Sequence, residues 1–418
     1  MQRRYGWSEA TKGLVLSSFF WGYVPGQVPG GLAAQRFGGA RVFCAGILAT
    51  SLLTLAVPLC ARSLPALYAL RALMGLGEAV TFPAANALFT QWFPAGERAA
   101  LVAFSSSGAF LGTAFAFPIS GEIVGLARDN TTFVDSKGVT RVGLPTSWPW
   151  AFYVFGALGC GWAAAFALLG ASSPEQSRGI SVAELALIQR TRGQDADQVL
   201  EKEVVARSPS PPWRAFLTHR AAWALYFNHA AACWGGYTLM TFLPDFMDRQ
   251  LGFDIQSSGG LALLPYLLMF LAASGAGALS DRLVHRMPVR RVRVLVQCSS
   301  YCLAGAFLLL AGYVENTTAA VVFVTLSIGV SGASMASNNV NYLDISPHYA
   351  GQLFSIGNTI GNIAGIITPI VTGQILGDKS SATKERWQLV FIIGAAFYFT
   401  ASVVWVLFVS GKPVAALN

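Results

Sequence analysis

The sequence predicts an all-α membrane protein, and three observations carry that prediction: a shortage of charge, apolar runs of spanning length, and basic residues gathered in loops. Of 418 residues, 54% are hydrophobic and 11% are charged, against about 25% charged in a soluble domain. Crossing a bilayer takes about 20 consecutive apolar residues, and such runs recur along nearly the whole chain. Only helices and closed barrels satisfy the backbone in lipid. The runs are continuous and not alternating, as outer-membrane strands would be, so helices are expected. The net charge of +8 reads as the basic excess of loops facing the cytoplasm and not as a nucleic-acid surface.

Eleven spans are expected: 13–34, 42–61, 65–91, 99–125, 149–170, 221–243, 258–280, 294–313, 319–340, 352–376 and 387–410. Residues 1–170 make an N-terminal helical half and 221–418 a C-terminal half. The polar stretch 171–220 between them is a cytoplasmic linker. Within it Ser181-Val182-Ala183-Glu184 has the pattern of a capping box ahead of Leu185, Leu187 and Ile188, which predicts a short surface helix. Basic residues at Arg36, Arg41, Arg98, the linker, 281–293 and Lys412 outnumber those of the alternate loops, which places the linker side in the cytoplasm. The sequons at Asn130 and Asn316 then fall outside, and the roomy loop 126–148 makes Asn130 the glycosylation candidate. The six cysteines lie in apolar runs without metal-ligand spacing, and their expected role is packing. No signal peptide is evident before the first run.

The halves echo one another. Gly31-Leu32-Ala33-Ala34-Gln35-Arg36 closes the first span as Gly277-Ala278-Leu279-Ser280-Asp281-Arg282 closes the seventh, and Gly108, Gly112, Pro118 and Gly121 parallel Gly357, Gly361, Pro369 and Gly373. Internal repeats build many secondary transporters, with the site between the repeats near the midplane.

Longer motifs add a resemblance. Ser17-Ser18-Phe19-Phe20-Trp21-Gly22-Tyr23 runs on to Gln27-Val28-Pro29-Gly30-Gly31, and Arg71 to Ala84 reads RALMGLGEAVTFPA, followed by Trp92, Pro94, Glu97 and Arg98. Asn341-Tyr342-Leu343-Asp344-Ile345-Ser346-Pro347 precedes Tyr349-Ala350-Gly351. As a set they resemble the anion:cation symporter family of the major facilitator superfamily (solute carrier 17 and the plant anion and phosphate transporters). That branch includes plastid phosphate transporters, sialin and vesicular glutamate transporters. The resemblance covers essentially the whole chain. It implies a major facilitator fold of two pseudo-repeated six-helix halves, so that the first visible span corresponds to the family's second and the first helix is absent. Gln35 stands where the superfamily has Asp, and Asn86 and Tyr342 replace family histidines. Leu16 and Ala232 replace a His and an Arg of the glutamate carriers, which weakens a glutamate reading.

Ionisable groups at membrane depth are the sharpest functional signal, since each costs about 2.5–3.5 kcal/mol at a helix centre. Arg71 and Glu78 are seven residues apart on one helix face, roughly 10.5 Å along the axis. Arg71 is expected to hold a substrate anion by its planar donor fork, and Glu78 to bind a coupling ion or salt-bridge Arg71. His229 is the second candidate for proton or ion coupling. Tyr23, Trp234, Tyr237, Asn341 and Asn358 are candidate substrate-path residues, each with packing as its alternative. Arg36, Glu97, Arg98, Asp281 and Arg282 are assigned to gating contacts at helix ends. No catalytic set, metal cluster, nucleotide-binding loop or cofactor motif is present, so an enzyme is not expected.

The expected function is secondary active transport of small anions, inorganic phosphate or a small carboxylate. It would proceed by alternating access with H⁺ or Na⁺ as coupling ion, or be driven by the membrane potential. The rival readings are a carrier of bulkier organic anions (acidic sugars, nucleotides), which would need a larger cavity with more basic groups, and a truncated non-transporting membrane protein. The expected setting is a multi-pass protein of the plasma membrane or of an organelle, plastid or vesicle included, with the lipid bilayer as its partner and no nucleic acid.

Overall fold

Every apolar run forms a helix in the computed structural model, which describes residues 5, 7, 9–126, 132–134, 140–142, 146–177, 179–197, 211–249, 255–376 and 383–418. The helices are α1 (Glu9–Phe37), α2 (Gly39–Cys60), α3 (Leu64–Ala79), α4 (Thr81–Trp92), α5 (Arg98–Gly125) and α6 (Trp148–Leu169). After them come α7 (Val182–Asp197), α8 (Trp213–Thr218), α9 (Arg220–Arg249), α10 (Ile255–Val284), α11 (Val289–Tyr313) and α12 (Thr317–Ser331). The last are α13 (Asn338–Ile345), α14 (Ala350–Leu376) and α15 (Lys384–Phe408). Strands β1 (Thr132–Val134) and β2 (Thr140–Val142) pair antiparallel, Phe133 opposite Arg141. Asn130 lies outside the described residues.

Nine segments among the described residues are long and apolar enough to cross a membrane by length and composition. The first and sixth runs, α1 and α9, are not among them. Polar residues inside them, such as Gln27 in α1 and Asn228 and His229 in α9, lower their hydropathy.

Two expected spans are broken. The third divides at Val80, because Pro83 has no N–H to offer the carbonyl of Ala79 and its ring crowds that carbonyl. The ninth gives way to a 3₁₀ turn over Gly332–Ala336 before α13. There Gly332 lies so close to the Met269 backbone that a Cβ would stand 2.6 Å from its carbonyl oxygen. The connection expected at 35–41 shrinks to a single residue, Gly38, whose φ of 90° suits glycine alone. In the linker, Ser181 Oγ accepts the amide of Glu184 at 3.1 Å, the cap that the sequence pattern anticipates.

The chain divides into two units. One comprises Met1–Ala84 and Phe115–Gly170. Its core gathers Val15, Val57, Leu67, Leu70 and Met74 from α1, α2 and α3. Helices α1 and α3 touch backbone to backbone: a Cβ at Gly22 would strike the Ala72 carbonyl, and one at Gly75 the Phe19 carbonyl. Gly75→Val is therefore expected to cost about 3 kcal/mol by forcing these helices apart, read as a lowered thermal midpoint in neutral detergent.

The other unit comprises Ala85–Ala114 and Ala171–Asn418. Its main core joins α9, α11, α12 and α15 through Leu239, Phe246, Tyr301, Leu308, Val324, Trp387, Phe391 and Tyr398. Tyr301 Oη donates to the carbonyl of Asn228 at 2.9 Å, and Gln297 Nε2 to its side-chain oxygen at 3.0 Å. A largely buried ion pair ties α11 to α13. Arg293 Nε donates to Asp344 Oδ2 at 2.8 Å and Nη2 to Oδ1 at 3.3 Å, while Nη1 reaches Ser280 Oγ and the Ala336 carbonyl.

Candidate functional site

The candidate residues gather in two clusters, one in each unit. In the first, α3 carries Arg71 on the face that borders α1. Its Nε donates to the Val15 carbonyl at 3.3 Å, and its guanidinium carbon stands 5.4 Å from the centre of the Phe19 ring. Phe19 stacks in turn on Tyr23, with centroids 5.3 Å apart, and Tyr23 is buried. One carbonyl and one aromatic face thus fix the guanidinium, a cation–π arrangement. Glu78, two turns further along α3, is exposed, and its carboxylate makes no hydrogen bond among the described residues. Arg71 and Glu78 act on one another through space and are not a closed salt bridge. This leaves Glu78 and the terminal nitrogens of Arg71 available to a solute.

The second cluster lies where α9, α13 and α14 meet. His229 Nδ1 is 3.4 Å from Tyr342 Oη and its ring also bonds the Asn358 side chain. Asn362 Nδ2 donates to the Asn358 carbonyl at 2.7 Å and to its side-chain oxygen at 3.1 Å, and Tyr237 Oη donates to Asn362 Oδ1 at 2.8 Å. The result is a polar chain, Tyr342–His229–Asn358–Asn362–Tyr237, running through otherwise apolar packing. Gly361 makes room for it: a Cβ there would lie 2.8 Å from His229 Cδ2 and 3.0 Å from Cys233 Sγ.

Other candidates lie apart from these clusters. Trp234 is buried and stacks on Phe397 of α15 at 4.3 Å. Asn341 is buried, and its Nδ2 donates to Asp344 Oδ2 at 3.2 Å and to the Ser410 carbonyl at 2.7 Å. Among the helix-end residues, Asp281 accepts the amides of Ala99 at 3.0 Å and Ala100 at 2.6 Å. A carboxylate there satisfies two of the unpaired N–H groups that open α5 and suits the positive end of its dipole. Glu97 is exposed, Arg98 half-buried and Arg282 exposed. Arg36 is exposed in the last turn of α1, over the ring of Phe37 at 5.5 Å.

Phe19, Tyr342 and Asn362 belong to these clusters but are not among the candidate site residues that the sequence suggests. Spacing alone carries a signal for two of them: Phe19 is one turn before Tyr23, and Asn362 one turn after Asn358.

Comparison with known proteins bears on the family and the fold. The family model described as Major Facilitator Superfamily matches residues 1–369. Vesicular glutamate transporter 2 of Homo sapiens is 31% identical over 412 residues, covering 98% of this chain and 66% of that protein. Probable anion transporter 4, chloroplastic, of Oryza sativa subsp. japonica is 35% identical over 416 residues, 99% of this chain and 64% of that one. The chain thus spans a little under two thirds of the length of these two relatives. Sodium-dependent phosphate transport protein 1, chloroplastic, of Arabidopsis thaliana is 34% identical over 416 residues, 99% of this chain and 74% of its own length. Among solved structures, the proton:xylose symporter XylE superposes with a TM-score of 0.70 at 15% identity, over 98% of this chain and 90% of that one, a likeness of fold alone.

Proposed function

Since the chain belongs to the Major Facilitator Superfamily and is a multi-pass membrane protein, we propose that it carries small anions, inorganic phosphate or a small carboxylate, by alternating access. The observation that carries this reading is Arg71: a guanidinium seven residues into a membrane-spanning segment, held by the Val15 carbonyl and the Phe19 ring and not neutralised by a hydrogen-bonded acid. Such a group is costly at membrane depth, and a planar fork matches the oxygens of phosphate and carboxylate alike. The relatives support the same class, since their names specify glutamate, phosphate and anions.

In this reading Arg71 binds the anion, with Tyr23 beside it, and the 1–170 and 221–418 halves are the moving parts. Glu78 takes the coupling ion, and the His229 chain with Asn358 and Tyr237 serves as the corresponding polar path in the second unit. Asp281 holds the start of α5 and is the gating contact for which the geometry is fullest. Coupling to H⁺ or Na⁺, or drive by the membrane potential, is settled by uptake of labelled phosphate into proteoliposomes. The pH, sodium and voltage gradients are imposed one at a time, with unlabelled carboxylates as competitors. Saturable uptake under one of these gradients is expected, and no saturable uptake under any of them would contradict the proposal.

Glu78→Gln separates coupling from anion binding. Uptake driven by the coupling-ion gradient is expected to fall by more than about tenfold, because the amide binds neither a proton nor a cation as a carboxylate does. Gradient-free exchange of phosphate is expected to survive. Equal loss of both would assign Glu78 to anion binding or to folding.

A further inference from the structure

The connection between α10 and α11 gathers cations in excess of acids, the exposed Glu97 being a neighbouring acid whose adjacent Gly96 lies beside His285. Four residues, 285–288, join the helices, and the turn is tight: the amides of Arg286 and Met287 both bond the Leu283 carbonyl, and that of Arg291 the Pro288 carbonyl. Residues 282–293 contain Arg282, His285, Arg286, Arg290, Arg291 and Arg293 and no acid. Two of these arginines are engaged. Arg293 points inward to Asp344. Arg290 closes the end of α15, donating to the Val406 carbonyl at 2.7 Å and the Val409 carbonyl at 3.0 Å. The nearest acid before the segment, Asp281, is committed to the amides of Ala99 and Ala100.

Arg282, Arg286 and Arg291 remain, all exposed, and their guanidinium groups have no hydrogen-bonding or ionic partner among the described residues. Lys412 adds to the same corner, since the neighbouring Gly411 packs on the backbone of Arg290, where a Cβ would stand 2.8 Å from the Arg290 Cα. Exposed apolar side chains begin one turn away. Leu279, three residues before Arg282, and Leu295, four after Arg291, are each 53% exposed on segments of spanning length. An apolar wall beneath a collar of free guanidinium groups matches one kind of molecule, an acyl chain with a phosphate at its head.

We propose that Arg282, Arg286 and Arg291 form a binding site for the headgroup of an anionic phospholipid, with Leu279 and Leu295 against its chains. Guanidinium groups take phosphate oxygens in pairs. A zwitterionic headgroup brings its own cation into the collar, so the net charge of the lipid decides the preference. A basic residue near an anionic surface contributes about a fivefold preference, hence on the order of a hundredfold for three. The site is independent of the anion path through the protein and does not require that the chain transports anything.

The test uses the full chain purified in a neutral detergent with equal amounts of phosphatidylglycerol and phosphatidylcholine, and counts retained lipids by native mass spectrometry. The unmodified chain is expected to retain phosphatidylglycerol preferentially. The triple variant Arg282→Gln, Arg286→Gln, Arg291→Gln is expected to lose about a hundredfold of that preference, and the triple lysine variant to keep most of it. A charge-matched control, Arg62→Gln, Arg190→Gln, Lys384→Gln, changes exposed sites elsewhere and is expected to behave as the unmodified chain. Unchanged preference in the triple glutamine variant would overturn the site, as would equal loss in the control. Glycerol phosphate that displaces the lipid at equal concentration would overturn the lipid as occupant. Thermal melting without added lipid confirms that all the variants are folded.

Discussion

Arg71→Lys is expected to slow phosphate uptake by about ten- to a hundredfold, and Arg71→Ala by more than about a hundredfold. The lysine keeps the charge but loses the fork, so one of two parallel bonds to the anion disappears. A hydrogen bond to a charged group is worth about 1.5–3 kcal/mol, and 1.4 kcal/mol is a factor of about ten. Lysine also gives up the planar contact with Phe19 and the bond to the Val15 carbonyl that orient the native side chain. The alanine variant removes the anion's counter-charge altogether. Initial rates in proteoliposomes, normalised to incorporated protein, provide the measurement. A lysine variant as fast as the unmodified chain would show that charge alone suffices and that the geometry around Phe19 has no part in binding.

Asp344→Ala is expected to destabilise the second unit by about 3–5 kcal/mol, because it strands a buried guanidinium. The side chains of Arg293 and Asp344 are only 5% and 11% exposed. Asp344 also accepts from Asn341, whose amide in turn bonds the Ser410 carbonyl, so the loss spreads to the segment after α15. The double change Arg293→Met, Asp344→Leu removes both charges and is expected to recover much of the loss, since apolar replacements of buried pairs are often neutral. Thermal unfolding in detergent reads both effects. A single variant as stable as the unmodified protein would show that water reaches Arg293.

The helices were legible because continuous apolar runs admit few other solutions in lipid. The break at Val80 was legible in principle, since Pro83 dictates where the ladder fails. The break after Ser331 was not, because it depends on Gly332 meeting the Met269 backbone across more than sixty residues of chain. Arg71 and Glu78 stood out as rare charges within a span. The side that each aromatic faces did not: Trp234 and Tyr237 are three residues apart, yet one stacks on α15 and the other bonds α14. Arg293 was hidden by its neighbours. In the sequence it looks like one more basic residue of a loop, and only the fold shows that its partner lies fifty-one residues on.

Transport of an anion through Arg71 is tested most directly by counterflow, in which proteoliposomes preloaded with unlabelled phosphate are diluted into trace labelled phosphate with no gradient of ions or voltage. Translocation is then isolated from coupling. The unmodified chain is expected to take up label transiently above its equilibrium level, while Arg71→Ala stays at the level of empty liposomes. A folded, incorporated chain that exchanges neither phosphate nor a small carboxylate, or an alanine variant that exchanges as fast as the original, would contradict the account.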